Sequence, residues 1–366
     1  MRQGDPLSPY LFIIGVEILS QAITSNPGIK GVFIEGNQFL LGQYADDTSI
    51  FIDGTEKSLK NVFNVLNNFE LLSGLCTNYE KTQAVWIGVK RNSNDRIKTN
   101  KQLSWTNGNF KVLGVTLNAN LSNLIEINFR DKIKECKELL NIWRQRNLTI
   151  IGKITIIKSL ILSKFNHLFS FLPSPSLKII KEIEKMVYEF VWNGKGDRVS
   201  RNILINRVDM GGVKMPHIAS IIKSQKSSWI KRTLSIDNKE WGKMFNIIFR
   251  FCGGAIVWEY TVDGIRKVGE RITNEFWREL INIWSGIVEY NGQMNTANDF
   301  LRQILWYNSS IKDTLFIHSW HKAKVDYVND VVKKNGQIMS HKEFQQIYVQ
   351  RETIKKCVYA SAWQNC

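Results

Sequence analysis

Two adjacent carboxylates, Asp46 and Asp47, are the residues of this sequence whose types and spacing most directly suggest chemistry. Apolar runs of strand type precede and follow them at residues 39–44 and 48–52, so we predict two strands joined by a tight acidic turn. Such a turn presents carboxylate oxygens to a hard cation such as Mg²⁺, while the strands hold those oxygens still. The alternative is a solvated hairpin turn without a bound ion, which is the usual fate of an isolated aspartate pair.

An apolar helix is predicted upstream of this turn. Asp5 can cap the helix, and Pro6 then stands at the position that proline favours in a first turn. The apolar residues that recur at helical spacing, and therefore predict one buried face, are Leu7, Leu11, Phe12, Val16 and Leu19. Downstream, a helix is predicted near residues 57–72 and strands at residues 84–88 and 110–117, so the first segment has a mixed α/β order.

Residues 2–12 and 44–47 together resemble the palm of reverse transcriptases, and the first of these segments is close to the form typical of non-LTR (LINE-type) retrotransposons. The resemblance implies that Gln3 and Gly4 line the pocket beside the incoming nucleotide and the template base. It also implies that Asp46 binds the catalytic magnesium ions with Asp47 beside it, and that Tyr44 packs near the primer terminus. The competing structural interpretations are a capping role for Gln3 and a core position for Tyr44.

Two downstream segments strengthen the resemblance. Residues 74–82 resemble the palm segment whose lysine, here Lys81, lies near the leaving pyrophosphate, where an ammonium group can offset charge or donate a proton. Residues 110–115 resemble the hairpin that grips the primer, which implies substrate contacts for Leu113 and Gly114. The alternatives are a surface lysine without a role and an ordinary buried strand with a bulge at Gly114.

Positive charge is concentrated in the middle of the chain. The chain has 49 Lys and Arg against 33 Asp and Glu, a formal net charge of +16, and residues 130–232 hold 21 of those cations and 8 of those acids. Helical patterns run through residues 127–143, 150–171 and 177–191 and resemble the thumb of reverse transcriptases. We predict that cations of these helices follow nucleic-acid phosphates without reading sequence, the alternative being solvated helix faces. The predicted phosphate contacts are Arg144, Arg146, Lys153, Lys158 and Lys164.

The remainder of the chain is helical in pattern and rich in tryptophan, and its segments at residues 306–308 and 326–330 resemble the linker that follows the thumb in these elements. Such elements often end in a zinc cluster. His318, His321, His341, Cys357 and Cys366 lack regular ligand spacing, so we expect no zinc site. The five cysteines form no C-x-x-C pair, and we interpret them as reduced thiols of an intracellular protein.

The predicted fold is therefore α+β. A partial polymerase palm of antiparallel strands and helices occupies residues 1–117, an all-helical basic thumb or connector residues 118–235, and a helical linker region residues 236–366. No apolar run reaches the roughly 18 to 20 residues that a membrane span needs, and the amino terminus lacks a signal-like pattern. We expect a soluble intracellular protein, in the nucleus or the cytoplasm, without membrane contact.

The resemblance implies an RNA-directed DNA polymerase, a nucleotidyltransferase that uses an RNA template, a DNA primer, deoxynucleoside triphosphates and Mg²⁺, or Mn²⁺ in its place. In this family the other essential aspartate and the fingers lie upstream of the segment that begins here at Arg2. We therefore expect an amino-terminally truncated fragment that is inactive by itself, since catalysis by two metal ions requires carboxylates from more than one strand. The alternative is a non-catalytic nucleic-acid-binding remnant of a decayed element.

Overall fold

The computed structural model of the protein describes residues 5–98, 103–118, 121–235, 240–291, 301–308, 315–333, 337 and 339–348. The chain divides into two compact units, Met1–Asn128 and Phe129–Cys366. The predicted α+β class is confirmed, because the first unit contains small strand pairs and helices and the second is built from helices. The finer division into three domains, with boundaries after residues 117 and 235, stays a prediction.

The first unit begins with a helix and two antiparallel β-hairpins, which precede a second helix. In chain order these elements are α1 (Ser8–Thr24), β1 (Val32–Ile34), β2 (Asn37–Phe39), β3 (Leu41–Tyr44), β4 (Asp47–Ile50) and α2 (Glu56–Ser73). The α2 helix begins where the Thr55 side chain accepts a hydrogen bond from Ser58 N, and it ends at Gly74, whose φ of 72° favours glycine. The predicted acidic turn and second helix are confirmed.

Four short strands follow in the first unit: β5 (Gln83–Ala84), β6 (Ser104–Trp105), β7 (Asn109–Val112) and β8 (Val115–Asn118). The β5 strand pairs in parallel with β6, and β7 pairs antiparallel with β8. The strand predicted at residues 84–88 is thus shorter than expected, because β6 pairs with it over only two residues, Ser104 and Trp105. A 3₁₀ turn follows at Gly88–Lys90.

A side chain occupies the outer edge of β8. Asn128 Oδ1 accepts a hydrogen bond from Thr116 N at 2.8 Å, and Asn128 Nδ2 donates to Thr116 O at 2.7 Å. The same Nδ2 also donates to Leu124 O at 2.8 Å. Both Thr116 and Asn128 are buried, so this amide satisfies two peptide groups that would otherwise lack a partner.

The start of α1 differs from the prediction. Asp5 Oδ1 accepts a hydrogen bond from Leu7 N at 2.9 Å, but the helix begins only at Ser8 and no side chain caps it. Pro9 lies in the first turn instead of Pro6. The physical reason is that Pro9 has no N–H, so a helix that began at Pro6 would lack an internal hydrogen bond at Pro9.

The core of the first unit lies at the carboxyl-terminal end of α1, where Leu19 and Ile23 are buried with Ile29, Leu40 and Val62. Partly buried residues of β3, β4 and α2 pack around this cluster. The core therefore fixes the second half of α1 to the β3–β4 hairpin and to α2.

The predicted buried face of α1 is wrong over the first half of the helix. Leu7 is 62% exposed, Leu11 is also exposed, and Phe12 and Val16 are half-buried. Among the described residues, no element of the first unit covers these turns enough to bury an apolar side chain before Leu19. The first half of α1 therefore exposes apolar side chains of the kind that helices usually bury against a core.

The second unit contains six helical segments up to residue 233. They are α3 (Leu124–Arg144), which begins in the first unit, α4 (Ile150–Ile156), α5 (Leu162–Phe171), α6 (Leu177–Val191), α7 (Arg201–Ile205) and α8 (Ile218–Thr233). A π-helical turn, Ile157–Ile161, joins α4 to α5, so the helix predicted at residues 150–171 is continuous but irregular. None of the helices in the described part of the chain is long and apolar enough to cross a membrane.

The second unit continues with α9 (Glu240–Phe249), α10 (Val262–Arg271), α11 (Glu275–Asn291), α12 (His318–Lys322) and α13 (His341–Tyr348). Aromatic rings form its core: Trp229, Phe245, Trp258, Trp277 and Trp306 are all buried in one cluster. The rings of Phe245 and Trp277 lie 5.3 Å apart, in the range of favourable aromatic contacts. The expectation that the tryptophans are core residues is confirmed for these positions.

Lys226 of α8 is fully buried, which the sequence did not predict. Its Nζ donates a hydrogen bond to Leu172 O and lies 3.6 Å from a carboxylate oxygen of Glu279 on α11. The Ser174 backbone N–H and hydroxyl donate to the same carboxylate, and the Lys226 ammonium lies 4.2 Å from the ring centre of Phe276. Burial lowers the pKa of Lys226 to about 8, although Glu279 opposes this effect.

Candidate catalytic hairpin and basic surface

The β3–β4 hairpin presents the two predicted catalytic carboxylates to solvent. Tyr44 pairs with Asp47 as the last rung of the ladder, and Ala45 and Asp46 form the turn. Asp46 and Asp47 are both exposed, and Tyr44 is 69% exposed, so its alternative interpretation as a core aromatic is wrong. Ala45 has a φ of 50°, a left-handed conformation that is strained for an alanine. A short strained turn thus holds the carboxylates at the end of two strands.

A polar contact attaches this hairpin to α1. The Ser20 hydroxyl donates a hydrogen bond to Gln43 Oε1, one residue before Tyr44. The ladder continues past the strands through Phe51 N, which donates to Leu40 O at 2.7 Å. The carboxylate turn is therefore supported at its base by α1 and by the buried Leu40.

The donor set at the turn fits a divalent cation only in part. Carboxylate oxygens are the ligands that Mg²⁺ and Mn²⁺ prefer, and Asp46 and Asp47 supply them without competing ion pairs among the described residues. However, no group of three or more His, Cys, Asp or Glu side chains suited to a metal ion occurs in the described part of the chain. The hairpin therefore supplies two carboxylates that suit such an ion, and a metal site here stays a prediction.

Other predicted palm residues are less informative. Gln3 and Gly4 lie outside the described residues. Lys81 is exposed in a turn, where its backbone N–H donates to Asn78 Oδ1 at 3.1 Å. Its ammonium group is thus accessible, and its role near a leaving group stays a prediction.

Leu113 and Gly114 form the two-residue turn of the β7–β8 hairpin, since Val112 pairs with Val115. Their φ values of 50° and 79° are those of a type I′ turn, so the alternative of a bulge at Gly114 is wrong. Leucine is unfavourable at positive φ, yet Leu113 is exposed at this tip. The turn presents an apolar side chain to solvent at some cost in backbone strain.

Three of the five predicted phosphate contacts are exposed: Arg144, Arg146 and Lys158. The Arg146 guanidinium lies 5.2 Å from the ring centre of Trp143. Lys158 belongs to the π-helical turn and borders an open groove against α8. The polar residues that also line this groove are Asn166, His217, Ser220, Ser224 and Gln225. These positions are accessible to a nucleic-acid backbone.

Lys153 and Lys164 are placed differently from these three residues. Lys153 is buried, and its Nζ donates to Val191 O at 2.9 Å and to Asn193 Oδ1 at 2.6 Å, while burial lowers its pKa. Lys164 Nζ lies 2.5 Å from Glu135 Oε1, and this hydrogen bond raises the lysine pKa. Both ammonium groups are thus engaged inside the second unit, and phosphate contacts by them stay predictions.

Most of these ion pairs within the second unit could not be predicted from the sequence. The Glu182 carboxylate forms ion pairs with Arg130 at 2.6 Å and with Lys137 at 2.8 Å. The Glu135 carboxylate forms ion pairs with Lys132 at 3.0 Å and with Lys164. Only the spacing of Lys132 and Glu135 on one helix could have been recognised in advance. The other pairs join residues far apart in sequence, so they depend on tertiary packing.

The histidines and cysteines of the tail are only partly described. His321 Nδ1 lies 2.8 Å from Asp326 Oδ1, which also accepts a hydrogen bond from Trp306 Nε1 at 3.0 Å. Cys357 and Cys366 lie outside the described residues. This pairing gives His321 a structural partner, and the expectation of no zinc cluster stays a prediction.

Comparison with known protein families bears on the first segment. Residues 1–117 match the family model described as reverse transcriptase (RNA-dependent DNA polymerase). The match includes the Asp46–Asp47 hairpin, Lys81 and the β7–β8 turn. The resemblance predicted from the motifs is confirmed at this level, and residues 1–117 carry a reverse transcriptase domain sequence.

Proposed function

We propose that this chain is part of a non-LTR retrotransposon reverse transcriptase, which extends a DNA primer on an RNA template. The observation that carries the proposal is the exposed Asp46–Asp47 turn of the β3–β4 hairpin, within residues that match the reverse transcriptase family. The assignment to the non-LTR type rests on residues 2–12 and on the resemblance of the segments after residue 117 to the thumb and linker of those elements.

Each exposed group has a proposed task. Asp46 and Asp47 would hold Mg²⁺ or Mn²⁺, and such an ion stabilises the negative charge that develops during phosphoryl transfer. Tyr44, exposed beside them, packs near the primer terminus, and the Lys81 ammonium offsets charge on the leaving pyrophosphate. Leu113 and Gly114 grip the primer with their rigid turn.

Gln3 and Gly4 are proposed to border the pocket for the nucleoside triphosphate and the template base. Arg144, Arg146 and Lys158 are proposed to contact duplex phosphates, for which exposed guanidinium and ammonium groups are well suited.

We further propose that the chain alone is inactive and that upstream protein completes its palm. Two observations support this view. The described residues provide two carboxylates at the hairpin and no third metal-binding side chain beside them. The first half of α1 is apolar but uncovered, and β3 and β4 form a sheet of only two strands among the described residues. Another strand beside the hairpin would cover apolar surface and pair an open edge.

A second candidate function is nucleic-acid binding without catalysis, as in a remnant of a decayed element. The exposed Arg144, Arg146 and Lys158 favour it, because these cations need no metal site in order to bind phosphates. Under this alternative the β3–β4 hairpin is a scaffold only.

Primer extension distinguishes these proposals. The chain alone should bind a primer–template but synthesise no DNA, whereas the chain extended by its natural upstream reading frame should synthesise DNA in the presence of Mg²⁺. Asp46→Asn should abolish synthesis by the extended chain and leave binding intact. An extended chain that binds but never synthesises supports the second function. Template-dependent synthesis by the isolated chain would contradict its proposed inactivity.

A further inference from the structure

A small protrusion of the second unit exposes apolar side chains between two helices. It comprises residues 201–215: α7, the 3₁₀ turn Val208–Met210 and the chain that returns toward α8. Val208 is 66% and Met210 is 69% exposed, and Ile203 of α7 is exposed as well. We call Val208 and Met210 the apolar tip. Neither the predicted palm contacts nor the predicted phosphate contacts include it.

Backbone hydrogen bonds and close packing hold this segment together. Met215 N donates a hydrogen bond to Leu204 O at 2.8 Å, and Gly212 N donates to Arg207 O at 2.9 Å. Gly212 packs so closely that a Cβ at this position would clash with the Asn206 carbonyl oxygen. Because its backbone is tied to the end of α7, the loop cannot readily turn the apolar tip inward.

Cations lie on both sides of the apolar tip along the chain. Residues 193–214 contain five Lys and Arg and two Asp. Each aspartate pairs with one arginine, Asp197 with Arg201 and Asp209 with Arg207. The cations that are exposed and form no ion pair with another described residue are Lys195, Arg198 and Lys214. The segment therefore carries two exposed apolar side chains and three exposed cations that have no ion-pair partner among the described residues.

Backbone strain occurs at one of these cations. Lys214 has a φ of 55°, and its N–H donates to Asn206 O at 2.9 Å. A left-handed backbone conformation is unfavourable for lysine and persists only where the surrounding structure fixes it. The loop thus holds Lys214 in a backbone conformation that lysine alone disfavours.

We infer that the apolar tip binds nucleic acid at a junction between duplex and single strand. Val208 and Met210 pack on the exposed face of the last base pair, while Lys195, Arg198 and Lys214 contact the phosphates on either side. The inference rests on the proposed nucleic-acid function and adds a contact that recognises nucleic-acid shape. Apolar side chains that wedge against bases beside cations are a known mode of nucleic-acid recognition.

The size and charge of the surface favour this partner over a protein. A stable protein interface buries roughly 800 Å² on each side, much more than two side chains on a narrow turn provide. The three exposed cations also favour an anionic partner, and a nucleic-acid junction supplies phosphates beside an apolar base face.

Binding to two small DNA circles tests the inference. One is a covalently closed duplex minicircle, and the other is the same minicircle with a single-stranded gap. The full chain should bind the gapped circle more tightly in fluorescence anisotropy. The double variant Val208→Ser/Met210→Ser should lose roughly tenfold affinity for the gapped circle, as expected from two lost apolar contacts, and retain its affinity for the closed circle.

Two further variants act as controls. Leu177→Ser removes an exposed apolar side chain beside Lys178 on α6 and should change neither affinity. The triple variant Lys195→Gln/Arg198→Gln/Lys214→Gln should weaken both complexes and flatten their salt dependence by about 0.9 per lost phosphate contact. Thermal melting by circular dichroism should show that all variants fold like the parent chain.

Other results would overturn the inference in distinguishable ways. Equal affinity of the parent chain for the two circles, or equal loss on both in the double variant, would exclude junction recognition while leaving nucleic-acid binding intact. Failure of the parent chain to bind either circle at low salt would remove the proposed function itself. If the double variant loses binding to phosphatidylserine vesicles and keeps its affinity for the gapped circle, the tip is a membrane contact and the inference is wrong.

Discussion

The two units of the chain differ in how completely they bury their apolar residues. In the first unit, α1 has only Leu19 and Ile23 buried, although its sequence is apolar over most of its length. In the second unit, aromatic side chains such as Phe245 and Trp277 lie in one continuous buried cluster. The unit that contains the predicted catalytic residues thus has an apolar helix that is buried only at one end, whereas the second unit has a continuous aromatic core.

The largest effect is expected in the aromatic core. Phe245→Ala should lower the free energy of unfolding of the second unit by about 3 to 5 kcal/mol, because Phe245 is fully buried and stacks on Phe249 at 4.5 Å. Its matched control, Ile14→Ala on the exposed part of α1, should change stability by less than about 0.5 kcal/mol. Urea denaturation followed by hydrogen exchange in each unit measures both. Equal losses of stability in the two variants would contradict the difference in burial between Phe245 and the exposed part of α1.

A smaller effect is expected at Asn128 in the first unit. Asn128→Ala removes three hydrogen bonds, two of them buried, and leaves both peptide groups of Thr116 unpaired, so stability should fall by about 2 to 3 kcal/mol. Hydrogen exchange of the Thr116 amide should become faster than in the parent chain. The control is Asn107→Ala, since Asn107 is exposed and bonds only to the Asn94 side chain among described residues. A neutral Asn128→Ala would show that the hairpin does not need this support.

The buried Lys226 gives the second unit a pH dependence. The pKa of Lys226 is lowered from 10.5 to about 8 in the folded chain. Between pH 8 and pH 10.5 the unfolded chain therefore binds more protons at this residue than the folded chain does. Stability from this residue therefore rises with pH across that window. Compared with Lys226→Met, the parent chain should gain about 2 kcal/mol between pH 8 and pH 10.

Parallel urea titrations of the parent chain and of Lys226→Met at several pH values measure this difference. Both chains contain the buried Cys252 thiol, whose pKa burial raises. Its effect on stability is opposite to that of Lys226 as the pH rises, and it cancels in the difference between the two chains. A constant difference across the window would mean that Lys226 keeps its ordinary pKa in the folded state.

The smallest effect is expected at the β7–β8 turn. Leu113→Asn should stabilise the first unit by about 0.5 to 1 kcal/mol, because Asn-Gly suits a type I′ turn and asparagine tolerates positive φ. The matched variant Leu121→Asn, also at an exposed leucine but outside the turn, should bring no gain. Thermal melting monitored by circular dichroism detects the difference. Loss of stability in Leu113→Asn would mean that the leucine side chain contributes packing at this tip.

Local sequence patterns were sufficient for several elements. Alternation and turn composition predicted the β3–β4 hairpin, and helical periodicity predicted α2, α3 and α6, since these signals lie within a few neighbouring residues. The start of α1 was misplaced because two prolines, Pro6 and Pro9, both suit a first turn.

Properties that depend on distant residues could not be predicted. Burial of Lys153 requires Val191 O and Asn193, and burial of Lys226 requires Glu279, each far away in sequence. A pattern of charges along a helix does not reveal which cations find such partners. The uncovered half of α1 was missed for a similar reason, because periodicity reports an apolar face and not what covers it.

The Asn128 amide also has a consequence for self-association. The edge of a small β-hairpin is a template for the strands of other molecules, and exposed edges promote aggregation. At Thr116 this template is blocked, because a side chain from the same chain already occupies the donor and the acceptor that an incoming strand would need. Asn128 thereby protects the β7–β8 hairpin from intermolecular strand addition at Thr116.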